Sequence, residues 1–154
     1  MGWWYGEDVI GNGKPGWNAN CSSWEERSNR IVFRVQLHPN RFGRVLIKVL
    51  RSYAPTMGRV SVSLQAPHHG AHLKWLVDGY HDSPYSVAQF DIHDIPQFQM
   101  KFWEVELVLT LLPLSQNESG TRLAALDEKR REKLSATGVG CAGARFKLLS
   151  VITC

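Results

Sequence analysis

The chain has 154 residues, 44% hydrophobic and 21% charged, with a formal net charge of +4. That length suits a single domain spanning 1–154, able to bury its own core without a metal or a dense disulfide framework. The longest apolar stretch, Val105 to Leu114, is too short to cross a bilayer, and Arg122–Lys133 alone supplies half of the positive excess while the other cations are scattered, so neither membrane insertion nor nucleic-acid binding is expected.

The opening Met1-Gly2-Trp3-Trp4-Tyr5-Gly6-Glu7 is aromatic and then acidic, not the basic and then apolar pattern of an export leader. Any such signal is expected to lie on a longer parent chain or to be absent. Residues 1–29 are rich in Gly, Asn and Trp and read as an irregular segment. After them Ile31, Phe33, Val35 and Leu37 alternate with Val32, Arg34 and Gln36, the period of a strand with one buried face. His38 to Gly43 turns the chain, Val45, Ile47 and Val49 resume the alternation, and Val60, Val62 and Leu64 repeat it beyond a break at Ala54 to Gly58.

Shorter strands are expected at Leu73–Val77 and Ser86–Ile92, between clusters of Pro, Gly, Asp and His that mark loops. Phe102–Leu112 carries the strongest pattern, with Glu104 and Glu106 alternating against apolar residues before both faces turn apolar. Leu123 to Leu134 is built of strong helix formers and predicts a short charged helix, within an insertion at about 120–137. Phe146, Leu148 and Val151 mark a final strand. Strands in succession with one peripheral helix predict an all-β domain, an antiparallel β-sandwich of jelly-roll or galactose-binding-like form.

Catalytic chemistry has little to stand on. Nucleophilic hydrolysis needs a Ser or Cys at a sharp turn, and no Gly-x-Ser-x-Gly elbow or phosphate-binding glycine loop occurs. No cofactor is expected. His68, His69 and His72 have spacing that could hold a divalent ion, with Asp78, His81, Asp82, Asp91, His93 and Asp94 downstream, but histidines in a Pro/Gly-bounded loop are usually just solvated. Trp75, Asp78, Tyr80, His81 and Tyr85 are the candidate ligand-binding set, since a sugar ring stacks its C–H face on an aromatic side chain while polar neighbours take its hydroxyls.

Cys141 and Cys154 bracket the last apolar run, and a bridge between them would close a loop of about a dozen residues and stabilise by about 3 kcal/mol. Cys21 is a rival partner for either. The sequons Asn20-Cys21-Ser22 and Asn117-Glu118-Ser119, with the cysteines, point to an extracellular or secretory-pathway setting.

The order of short patterns adds a resemblance. Lys14-Pro15-Gly16-Trp17, Leu50-Arg51-Ser52-Tyr53, Met57-Gly58, the Val60-Val62-Leu64 alternation, Val77-Asp78-Gly79-Tyr80, Ser86 and the closing Phe146–Cys154 stretch together resemble the β-sandwich domain that follows SGNH/GDSL-type hydrolase domains in algal, protist and plant-like surface proteins. The resemblance implies a non-catalytic accessory module that binds a glycan, a cell-surface polysaccharide or another surface partner. It also implies the alternative of a structural domain of an SGNH-type esterase whose catalytic part lies on another segment or chain. In that frame Gly58 would permit a tight turn, and Gly16 a bend before Trp17 packs.

Overall fold

The computed structural model describes residues 3–7, 15–21, 29–37, 43–65, 71–95, 104–114, 116–129 and 144–153. Among them run β1 (Trp3–Glu7), β2 (Pro15–Cys21), β3 (Arg30–Gln36), β4 (Gly43–Arg51), β5 (Arg59–Gln65), β6 (Ala71–Asp78), β7 (Val87–Ile95), β8 (Glu104–Leu111), α1 (Gln116–Ala124) and β9 (Ala144–Thr153). The fold is all-β with one short helix, as the alternation predicts. The strands form two antiparallel sheets, one in the order β1-β2-β9-β4-β7 and one in the order β3-β8-β5-β6. No described helix is long and apolar enough to cross a membrane.

Period-two alternation decides which side chains meet. In β4, Val45, Ile47 and Val49 point inward and are fully buried, while Leu46, Lys48 and Leu50 face out. These branched residues pack well on a pleated surface. Phe146 and Leu148 of β9 join them, and Val60, Val62, Leu107 and Leu109 of the second sheet meet them in one core. β8 is the strand whose two faces both turn apolar, and Val108 on its outer face is indeed buried, flanked in register by Val32 and Ser63.

Aromatic contacts line the flanks of the core. On one flank Trp17 of β2 meets Phe33 of β3 edge to face at 5.9 Å, bridging the sheets, and Tyr5 packs on Trp17 at 5.3 Å. Trp3 packs on Phe146 at 6.2 Å and donates Nε1–H to the Asn29 carbonyl at 3.0 Å. On the other flank Trp75 of β6 stacks on His93 of β7.

Three expectations are corrected. Residues 1–29 are not irregular throughout, since β1 and β2 lie within them. Their alternation is short and broken by glycine, and β2 gains its partner from β9 at the far end of the chain, where local pattern cannot see it. α1 starts at Gln116, ahead of the expected helix at Leu123–Leu134 and insertion at about 120–137, and overlaps only their first residues. The chain leaves the helix at Ala125; residues 128 and 129 are helical again, and 130–143 lie outside the described residues. Gly16 lies within β2 and serves close approach instead of a bend, while Gly58, just after the turn closed by Met57 N–H to the Ala54 carbonyl at 2.9 Å, serves close approach as well, with no left-handed backbone at either. A Cβ on Gly58 would lie 2.9 Å from Ala144 Cβ, and one on Gly16 would lie 2.8 Å from the Leu148 carbonyl of the adjoining strand.

Candidate binding site at one end of the sheets

The β4–β5 connection, the β6–β7 connection, α1 and the start of β9 meet at one end of the molecule. Backbone hydrogen bonds knit them. Ser52 N–H donates to the Gly79 carbonyl at 2.9 Å, His81 N–H to Ser52 at 3.2 Å, and Gly79 N–H to Gly58 at 2.9 Å. Gly58 N–H reaches the Arg145 carbonyl at 2.6 Å and Arg145 N–H the Thr56 carbonyl at 2.8 Å. Gly79 is required at this crossing, because a Cβ there would lie 2.9 Å from the Gly58 oxygen and 3.1 Å from Met57 Cε.

Side chains complete the arrangement. Asp78 caps the loop, accepting from Tyr80 N–H at 2.9 Å on one carboxylate oxygen and from Arg59 Nε at 2.9 Å on the other. The first contact is an Asx turn, which a short carboxylate two residues upstream forms readily. Arg122 of α1 is buried, donates to the Met57 carbonyl at 2.6 Å, and lays its guanidinium over the Tyr80 ring at 4.1 Å. Ser86 Oγ and Ser52 Oγ are hydrogen-bonded to each other at 2.8 Å. Tyr85 projects from the same loop and is 73% exposed.

Among the buried polar atoms of this end without a hydrogen-bond partner in the protein are Arg51 Nε, Thr56 Oγ1 and His81 Nε2. Buried polar atoms are paired in the great majority of cases, so this grouping singles the end out. The hydroxyls of Ser52 and Ser86 engage each other, and His81 Nε2 bonds to neither.

The five candidate ligand-binding residues therefore divide. Tyr80, His81 and Tyr85 share the loop end, with Asp78 holding its backbone. Trp75 does not join them. It lies further along β6, half-buried, with its ring parallel to His93 at 4.2 Å and its Nε1–H donating to Asp91 at 3.1 Å. Asp91 and His93 lie inward on the edge strand β7, where they line the seam between the sheets. The residues that sequence reasoning passed over are Arg51, Thr56 and Arg122. Arg51 and Ser52 belong to one of the motifs that carry the resemblance, but nothing local marks Arg122 as a partner for Tyr80.

Of the metal candidates, His68 and His69 lie outside the described residues, and His72 is placed only as backbone in β6. Among the described residues no group of three His, Cys, Asp or Glu side chains is arranged to hold a metal ion. Cys141 and Cys154 both lie outside the described residues. Compared with known proteins, the chain matches no family model, no curated protein and no solved structure.

Proposed function

We propose that this domain is a non-catalytic module that binds carbohydrate or a cell-surface partner through the loop end built from Tyr80, His81, Tyr85 and their neighbours. The observation that carries this reading is the pairing of an exposed aromatic, Tyr85, with a clamped one, Tyr80, beside buried polar atoms that have no protein partner. A sugar offers an apolar ring face and several hydroxyls to such a surface. The strand order supports a jelly roll, since β2-β9-β4-β7 and β3-β8-β5-β6 are the two four-stranded halves of a double Greek key, with β1 added at one edge. An accessory role beside an SGNH-type hydrolase, in an extracellular or secretory-pathway setting, follows from the resemblance and fits such a module.

The test is a glycan array and a cell-wall polysaccharide screen on the purified chain. Saturable binding that is lost in Tyr85→Ala, whose exposed ring can be removed with a stability change within about 0.5 kcal/mol, supports the reading. Binding to no glycan rejects it.

The second reading, a structural domain of an esterase, draws on a different face. Ile92 of β7, Leu46 of β4 and Ile152 of β9 stand side by side on the outer face of the first sheet, with Phe90 next to them. Ile92, Ile152 and Phe90 are 57%, 45% and 42% exposed. A row of this kind suits the docking of another domain.

A further inference from the structure

We infer that the loop end carries an anion subsite, and that the ligand is an acidic glycan whose carboxylate or sulfate oxygens are bound by Arg51, His81 and Thr56. This rests on the binding reading above and names the substrate class. The segments that carry the three residues are tied to one another by the Ser52–Gly79, His81–Ser52 and Gly79–Gly58 backbone hydrogen bonds, and Thr56 is tied in through Arg145. Each of the three residues contributes one buried atom with no protein partner, namely Arg51 Nε, His81 Nε2 and Thr56 Oγ1.

Their chemistry points one way. A guanidinium Nε–H can only donate, a hydroxyl donates readily, and an imidazole carrying its proton on Nε2 donates as well. All three can donate at once, the Arg51 Nε–H having no other option, and a set that can donate together matches an oxyanion better than a neutral hydroxyl, because charge-assisted hydrogen bonds are the stronger kind. The surrounding charge agrees. Arg122 and Arg145 stand at the same end, while the Asp78 carboxylate is engaged by Arg59 and the Tyr80 amide. Asp82 lies in the same connection and is exposed. The exposed Tyr85 ring supplies a stacking surface for the sugar that bears the charged group.

The experiment has two parts on the full chain. Sodium sulfate is titrated while the Arg51 Nε–H and the His81 ring are followed by NMR. Calorimetry then compares dextran sulfate, polygalacturonate and neutral dextran. Saturable shifts at both side chains are expected, together with binding of dextran sulfate or polygalacturonate about tenfold tighter than dextran, with the preferred polymer telling sulfate from carboxylate. Arg51→Gln and, independently, His81→Gln should each remove most of that preference with the thermal transition retained. Arg34→Gln deletes a 77% exposed cation paired with Glu106 on the second sheet and should leave the preference intact.

Equal weakening by Arg34→Gln would mean diffuse charge and would overturn the subsite. So would the absence of any response to sulfate, with water then satisfying these atoms. Equal affinity for neutral and acidic polymers overturns the inference and leaves the binding reading standing. Sulfate binding without affinity for any polysaccharide keeps the anion subsite and rejects the glycan.

Discussion

Trp75 shows how one side chain changes meaning when its neighbours are known. In the sequence it stands three residues before Asp78 and reads as part of an aromatic and acidic recognition cluster. In the fold its ring lies flat against His93 and its N–H is used by Asp91, which makes it the closure of the β6–β7 seam. Trp75→Ala would remove part of that seam, so a loss of binding in this variant would not separate recognition from stability. Trp75→Phe is the sharper change, since it keeps an aromatic face and deletes the hydrogen bond. It should lower unfolding stability by about 1 kcal/mol, read as a fall in denaturant midpoint at unchanged slope, and leave glycan binding as it was. Tyr80 and His81 kept their predicted neighbourhood because they lie two and three residues from Asp78 in one tight loop. Arg122 was not legible as their partner, because its place over Tyr80 depends on where α1 docks.

At the scale of elements, β7 carries two unlike faces. Among the described residues it is an edge strand, paired on one side only along its nine residues, and such an edge is a template for unwanted pairing. Its inward Asp91 and His93 counter that tendency, because inward-pointing polar groups disfavour extension of the sheet. Its outward Phe90 and Ile92 are the ones left for a partner. Ile92→Lys places a charge in the middle of the row with Leu46 and Ile152. The variant should unfold within about 0.5 kcal/mol of the parent, and its co-elution with an SGNH-type hydrolase domain supplied in trans decides the second reading. Loss of co-elution in the variant alone supports docking through this face, whereas no co-elution of the parent removes that reading. The strand itself was readable from sequence as Ser86–Ile92. Its final three residues were not, because His93 and Asp94 lower the apolar content that marks a strand.

For the whole molecule, the position of β9 is decisive. It lies between β2 and β4, so the first sheet has no continuous ladder until the last residues of the chain arrive. Deleting residues 144–154 should abolish cooperative thermal unfolding, measured by circular dichroism, because it opens the centre of one sheet and removes Phe146 and Leu148 from the core. Deleting residues 1–7 removes only the edge strand β1, and a cooperative transition at lower temperature should survive. A cooperative transition in the first deletion would show that the second sheet, with the remainder of the first, folds without its central strand.

The sequence by itself determined that the chain is built of strands, which positions face inward in β3, β4, β5 and β8, and which loop gathers Asp78, Tyr80, His81 and Tyr85. Those features are local, because side-chain polarity with a period of two settles a strand's inner face whatever strand lies beside it. The tertiary structure alone decided the rest. Apart from β1–β2 and β5–β6, no two strands adjacent in sequence pair with each other. The choice of partner comes from closing long loops between two sheets around one core, and it is that closure which brings Arg51, Thr56 and Arg122 to the loop of Tyr80 and sends Trp75 to the opposite task of sealing the seam.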